Sequence, residues 1–236
     1  CCTAVLLMGL WEWSGFLTPP ALIGRIGLFL SALMLAGCLA WVYNGVDSML
    51  PILVAAVVWW LGLALWLMKS EKVIGPVFVV LAAWFCVVPA WVALRVLIEA
   101  DGGTLKLLWL FAIVAAADVG AYFTGRRLGR HKLAPSLSPG KTVEGLVGGL
   151  ICAASVAAAG AVALGQSPAL FALLGSVVGA VSVVGDLTVS AFKRHAGVKD
   201  TGWILPGHGG VMDRVDSLIA AAPLFVMVLS VTGLVR

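Results

Sequence analysis

The sequence predicts an all-α fold, a polytopic helical bundle integral to a membrane, with about eight spans of which the first is partial. Three observations carry this reading. Of the residues, 62% are hydrophobic and only 11% charged, and the mean hydropathy is +1.10. A soluble domain carries about 25% charged residues. Apolar runs close to the ~20 residues that cross a bilayer recur along the whole chain. Finally, Lys and Arg are sorted into alternate connecting segments.

The partial span covers residues 1–11, and further spans lie near 22–42, 50–68, 74–94, 105–123, 145–165, 168–187 and 217–235. The chain opens without Met and inside an apolar run, so it reads as the interior of a longer parent. A lipidated Cys1 is the weaker reading of that start. Gln166, Ser167 and Pro168 form one tight turn, and Lys69 to Val73 another. Gly145, Gly148 and Gly149, and then Gly175 and Gly179, place small residues where helices can approach closely. Trp11, Trp13, Trp41, Trp59, Trp60, Trp91, Trp109 and Trp203 fall near span ends or loops, the positions of an interfacial belt. Cys1, Cys2, Cys38, Cys86 and Cys152 lack CxxC spacing and predict neither a disulfide frame nor a zinc site.

Alternating the connecting segments across the membrane puts 12 Lys/Arg on one side and 3 (Arg95, Lys106, Arg236) on the other. The richer side is expected to be cytoplasmic. It receives the two long polar loops, about 124–144 and 188–216. The net charge of +4 is accounted for by this asymmetry and calls for no nucleic acid. No soluble insert interrupts the spans. Residues 1–236 therefore read as a single transmembrane domain, motif-rich from about 105 to 236.

Charge gathers in Ser190–Asp216, SAFKRHAGVKDTGWILPGHGGVMDRVD, with Asp186 just upstream. Asp118 and Asp186 each follow an apolar run. A carboxylate at that depth costs about 2.5–3.5 kcal/mol or more and requires a partner, a wet cavity or an interface. Asp213 and Asp216, three apart, share a helical face, with Arg214 between them pointing elsewhere. Two carboxylates on one face, joined by Asp186 from another helix end, suit Mg²⁺, which combines one or two carboxylates with water and phosphate oxygens. A solvated helix start explains the same pair more plainly. In LPGHGG, Pro206 sets a turn, and Gly207, Gly209 and Gly210 permit positive φ and close backbone approach to an anion. His208 either bonds phosphate or braces the loop. Asp186, Ser190 and Lys193 share one face, which favours Lys193 as a phosphate ligand. Arg194 and Lys199 serve equally well as membrane-surface anchors.

The other polar loop, TGRRLGRHKLAPSLSPGKTVEG, contains PGKT. It is no P-loop, because Pro135 stands where the leading Gly is needed and no strand precedes it. Ser138, Lys141, Thr142 and Glu144 still form a polar cluster opening a span. Ser138 and Lys141 suit triphosphate oxygens, while Ser138 or Thr142 equally suits an N-cap.

These residues resemble a known pattern. Ser190-x-x-Lys193-Arg194-x4-Lys199-Asp200, followed by Leu205-Pro206-Gly207-His208-Gly209-Gly210-x-x-Asp213-Arg214-x-Asp216, is similar to the signature of the phosphatidate cytidylyltransferase (CDP-diacylglycerol synthase) family. Asp118-x-x-Ala121-Tyr122-Phe123-x-Gly125-Arg126, the Ser138–Gly145 loop and Trp11-Glu12-Trp13 resemble it too. Gly140 and Val143 depart from residues the family often has there. The resemblance implies transfer of a cytidylyl group from CTP to phosphatidic acid, with CDP-diacylglycerol and pyrophosphate as products. It implies Mg²⁺, one ion or two, on Asp186, Asp213 and Asp216, with Lys193 joining these as catalytic residues. Asp118, Tyr122, Ser138, Lys141, Thr142, Glu144, Ser190, Arg194, Lys199, Asp200, His208, Gly209, Gly210 and Arg214 are the substrate-binding set. A bacterial inner membrane, a site facing the cytoplasm and, as one option for the assembly, a homodimer complete the expectation. The alternatives are a CTP-dependent lipid-alcohol kinase and, from another class, an ion-coupled transporter with Asp118 and Asp186 in its path.

Overall fold

The computed structural model describes residues 2–17, 22–43, 46–69, 74–203 and 209–235. Leu205, Pro206, Gly207 and His208 lie outside the described residues, as does the expectation placed on them. The chain begins with α1 (Cys2–Trp13), the partial span, and a 3-10 turn (Ser14–Phe16). Then come α2 (Leu22–Val42), α3 (Val46–Leu67), and α4 (Pro76–Ala82) joined through a π-helical turn (Ala83–Val87) to α5 (Val88–Glu99). Pro89 cannot supply the N–H that the Phe85 carbonyl would accept, and the wider turn sits where that bond is missing. The remainder is α6 (Gly103–Leu128), a hairpin of β1 (Lys132–Ala134) and β2 (Ser138–Thr142), α7 (Val143–Ala163), α8 (Pro168–His195) and α9 (Met212–Val231). Among the described residues, seven helical spans are long and apolar enough to cross a membrane. With α1 as the partial one, this agrees with the expected helical membrane bundle.

The hairpin is the departure from an all-α fold. Its strands pair antiparallel, Lys132 with Thr142 and Ala134 with Ser138. Pro135 fixes φ at the turn, where the Leu137 N–H donates to the Ala134 carbonyl at 3.1 Å. Hydropathy also places two helix ends too early and one helix start too late. The helix holding 105–123 continues to Leu128, that holding 168–187 continues to His195, and the last begins at Met212 rather than 217. A hydropathy window finds where the apolar stretch stops, not where the backbone ladder stops. Arg126 and Arg127, and Lys193 to His195, occupy last turns, where cations complement the helix dipole.

Helices α6, α7, α8 and α9 pack in series, and α9 also touches α1, α3 and α5. It lies at the centre, buried without a break from Ser217 to Val226. Outward-facing residues such as Ile23, Leu65 and Val77 are exposed, as expected of a surface that lipid covers. Small residues bring α6, α7 and α8 together: a Cβ on Gly149 would lie 3.2 Å from that of Ala121, and one on Gly148 would collide with Thr124. The interfacial reading of the tryptophans is corrected at three positions. Trp13, Trp60 and Trp109 belong to the buried core. Trp13 packs edge-on against Phe16 and tilted against Phe192, and its indole N–H donates to the Val79 carbonyl at 3.2 Å. Proximity to a span end does not distinguish an indole facing lipid from one facing a neighbouring helix. Trp203, by contrast, is 89% exposed.

Candidate active site

The site grows out of α8. Ser167 caps this helix, its Oγ accepting from the Leu170 N–H, and Pro168 occupies the first turn. The helix then runs unbroken past Asp186, so that residue lies well inside α8 rather than at a helix end. The spacing Asp186, Ser190, Lys193 keeps the three on one face, and the Ser190 hydroxyl donates to Asp186 Oδ1 at 3.3 Å. Lys193 reaches across to α9, where its Nζ bonds Asp213 Oδ1 at 2.8 Å. Asp186 Oδ2 receives Lys141 from β2 at 2.6 Å. The hairpin thus reaches back into the bundle and meets α8.

Gly185 sets the α8–α9 crossing. A Cβ there would run into the Asp216 carbonyl oxygen and lie 2.8 Å from Ala220 Cβ. Without one, the helices close up and Asp186 and Asp216 line a common cavity. Asp213, one turn before Asp216, is held by donors on all sides. Besides Lys193, its Oδ2 accepts the Thr201 N–H at 2.9 Å, the Thr201 hydroxyl at 3.0 Å and the Gly210 N–H at 3.0 Å. Gly209, at φ +81°, makes the turn that presents the Gly210 amide.

Two cavities meet at Asp118 and Asp186, which line both. The first, about 510 Å³, lies under the hairpin and is bordered by Tyr122, Arg126, Ser138, Lys141 and Thr142. The second, about 450 Å³, is bordered by Lys193, Asp213, Arg214 and Asp216, with Phe111, Val114, Ala115 and Leu218 forming an apolar wall. Arg214 therefore joins its two neighbouring acids at the cavity instead of pointing away from them. Asp118 sits ten residues inside the end of α6, within the helix and not at its end. The charged side chains around both cavities balance: Asp118, Asp186, Asp213 and Asp216 face Arg126, Lys141, Lys193 and Arg214.

Other expected residues fall elsewhere. Thr142 is the N-cap of α7, its Oγ1 accepting from the Gly145 N–H at 3.1 Å, although it still borders the first cavity. Glu144 borders neither cavity. Its carboxylate accepts from the Arg130 N–H at 3.0 Å and contacts His131 Nδ1 at 2.7 Å, which ties down the base of the hairpin. Arg194, Lys199 and Asp200 are exposed and border neither cavity. Arg126 was missing from the expected set. Its Nη1 donates to the Tyr122 hydroxyl at 2.9 Å, and the four-residue spacing of the pair was the available signal. Among the described residues, no three His, Cys, Asp or Glu are drawn together as a metal cluster. The donor chemistry of Asp186 and Asp216 nevertheless suits a hard cation, which takes few carboxylates and completes its shell with water and phosphate.

Membrane-length helices crossing at glycine around charged cavities define an integral membrane protein with a candidate site inside its bundle. Comparison with known proteins makes the class specific. The model of the cytidylyltransferase family matches residues 1–232, and the chain belongs to that family. It is 40% identical over 253 aligned positions to a phosphatidate cytidylyltransferase of Haemophilus influenzae, covering 94% of this chain and 86% of the relative. It is 39% identical to a protein of the same name from Pseudomonas aeruginosa, covering 98% and 86%. A protein of that name from Staphylococcus saprophyticus is 48% identical over 52% of this chain and 48% of its own length.

Proposed function

We propose that the chain transfers a cytidylyl group from CTP to phosphatidic acid, releasing pyrophosphate and leaving CDP-diacylglycerol in the membrane. The observation that carries this reading is the pair of cavities joined at Asp118 and Asp186. One lies under the hairpin, where Arg126, Ser138 and Lys141 stand among apolar side chains, and the other is lined by Lys193, Asp213, Arg214 and Asp216 beside an apolar wall. A two-substrate reaction between a soluble triphosphate and a lipid phosphate requires such a meeting place. The names carried by the bacterial relatives support it.

In this reading Lys141, Ser138 and Arg126 bind the triphosphate, and Lys193 and Arg214 meet the lipid phosphate. The lipid's phosphate oxygen forms a bond to the α-phosphorus as the bond from that phosphorus to the bridging oxygen of pyrophosphate breaks. The attacking oxygen is already ionised near neutral pH, so no strong general base is needed. Catalysis rests on alignment and on donors held in advance around developing charge. The charge balance around the cavities supports a divalent cation as companion to the nucleotide, because the side chains alone offer no excess positive charge to a polyphosphate. We assign Mg²⁺ to Asp186 and Asp216, with Asp213 holding Lys193. An ion held by these two carboxylates would supply neutralisation of phosphate charge. The Lys/Arg asymmetry supports a site open to the cytoplasm, and the bacterial relatives support the inner membrane.

The deciding test is product analysis with purified protein, CTP, phosphatidate and Mg²⁺. CDP-diacylglycerol and pyrophosphate in equal amounts are expected. CDP formed with a lipid alcohol, and no reaction with phosphatidate, would establish the kinase alternative.

A further inference from the structure

Among the described residues, one carboxylate that borders neither of these cavities is buried. Glu12, in the last turn of the otherwise apolar α1, is 4% exposed. An anion there requires donors, and it has three, all from a segment about two hundred positions away in sequence. Its Oε1 accepts the Val211 N–H at 2.9 Å, and its Oε2 accepts the Met212 N–H at 2.8 Å and the Thr201 hydroxyl at 2.8 Å. The first two amides open α9, so Glu12 satisfies N–H groups that the helix itself leaves without partners. The fit is close. A Cβ on Gly202 would come within 2.6 Å of Glu12 Oε1, and one on Gly210 would strike Glu12 and Thr201.

Helix capping alone would account for the two amides. It does not account for Thr201. That hydroxyl lies between two carboxylates, 2.8 Å from Glu12 Oε2 and 3.0 Å from Asp213 Oδ2, and it has a single hydrogen to donate. The Thr201 backbone N–H also bonds Asp213 Oδ2, and Asp213 holds Lys193 through its other oxygen. A chain of contacts therefore runs from Glu12 in α1 through Thr201 to Asp213 and Lys193 at the second cavity.

We propose that Glu12 is a positioning residue for the reaction. By anchoring Thr201 and the first amides of α9, it fixes the Asp213 carboxylate and, through it, the direction of the Lys193 ammonium. The proposal rests on the cytidylyl-transfer reading. Misplacement by a fraction of an ångström is enough to matter for a step that depends on alignment, so the effect belongs in kcat rather than in substrate affinity.

The test uses the chain purified in detergent, assayed with CTP, phosphatidate and Mg²⁺, with unfolding midpoints recorded alongside. Glu12→Gln and Thr201→Val are each expected to lower kcat by between about tenfold and a hundredfold, with KM for both substrates within about twofold of the wild type. Thr201→Ser, which keeps the hydroxyl, is expected to restore most of the rate. The double variant is expected to lose no more than the worse single variant, because both act through one relay, whereas unrelated defects would multiply. A wild-type kcat in Thr201→Val, multiplicative losses, or a rate that merely follows the folded fraction would overturn the proposal. If Glu12→Gln does not fold, Thr201→Val and Thr201→Ser decide the matter alone. Inactive wild-type protein would instead overturn the cytidylyl-transfer reading, so the two failures are distinguishable.

Discussion

At the scale of single residues, the two lysine–aspartate pairs differ in what surrounds them. Asp186 keeps 29% of its side chain exposed beside Lys141, while Asp213 keeps 10% and is met by the Lys193 ammonium, two backbone amides and the hydroxyl that Thr201 shares with Glu12. The same substitution should therefore act differently at each. Asp186→Asn is expected to reduce turnover more than about a hundredfold, as loss of an electrostatic group at the reacting centre does, with the unfolding midpoint hardly changed. Asp213→Asn is expected to reduce turnover similarly and also to lower stability by about 1–3 kcal/mol, because hydrogen bonds to a charged acceptor are weakened. Kinetics and thermal unfolding measured on the same preparations check both. Near-normal turnover in Asp186→Asn across a Mg²⁺ titration would remove it from the site.

At the scale of elements, the hairpin between α6 and α7 decides whether Lys141 arrives. Glu144 pins its base to Arg130 and His131. Glu144→Ala is expected to raise KM for CTP about tenfold while leaving kcat within about threefold, the pattern of weakened ground-state binding. An unchanged KM would show that the hairpin holds its place without this tie. The hairpin also marks where sequence reasoning ran out. The spans were legible because ~20-residue apolar runs leave little choice of structure, and Asp186, Ser190 and Lys193 were legible because helical spacing puts them on one face. Strands of three and five residues carry no such period. The pairing of Lys193 with Asp213, and of Lys141 with Asp186, depends on how α8, α9 and β2 lie against one another, which spacing within one element does not encode. Glu12 stood in the quoted WEW triplet, but its partners lie near the other end of the chain. Trp13, Trp60 and Trp109 were misplaced for the opposite reason, since a local rule was applied where helix packing decides.

At the scale of the whole molecule, the asymmetry of Lys and Arg makes a prediction about sides. Ser136, at the exposed tip of the hairpin, is expected to face the cytoplasm. Ser136→Cys, in a variant freed of the native cysteines, should react with a membrane-impermeant maleimide in inside-out vesicles and stay unlabelled in intact, right-side-out ones. Labelling in the reverse pattern would invert the orientation and move the proposed site to the far side.

The depth of Asp118 in α6 bears on how such a chain enters a bilayer. As a free span α6 would carry a lone acid into hydrocarbon at about 2.5–3.5 kcal/mol. Lys141, an opposite charge that acts on that acid, is synthesised only later, in the hairpin. Asp186, deep in α8, meets the same lysine at 2.6 Å. Two acidic spans on either side of one basic turn favour release from the insertion machinery as a group. Biogenesis would then be cooperative across α6, α7 and α8, and a chain cut after α6 would be held back at the point of insertion.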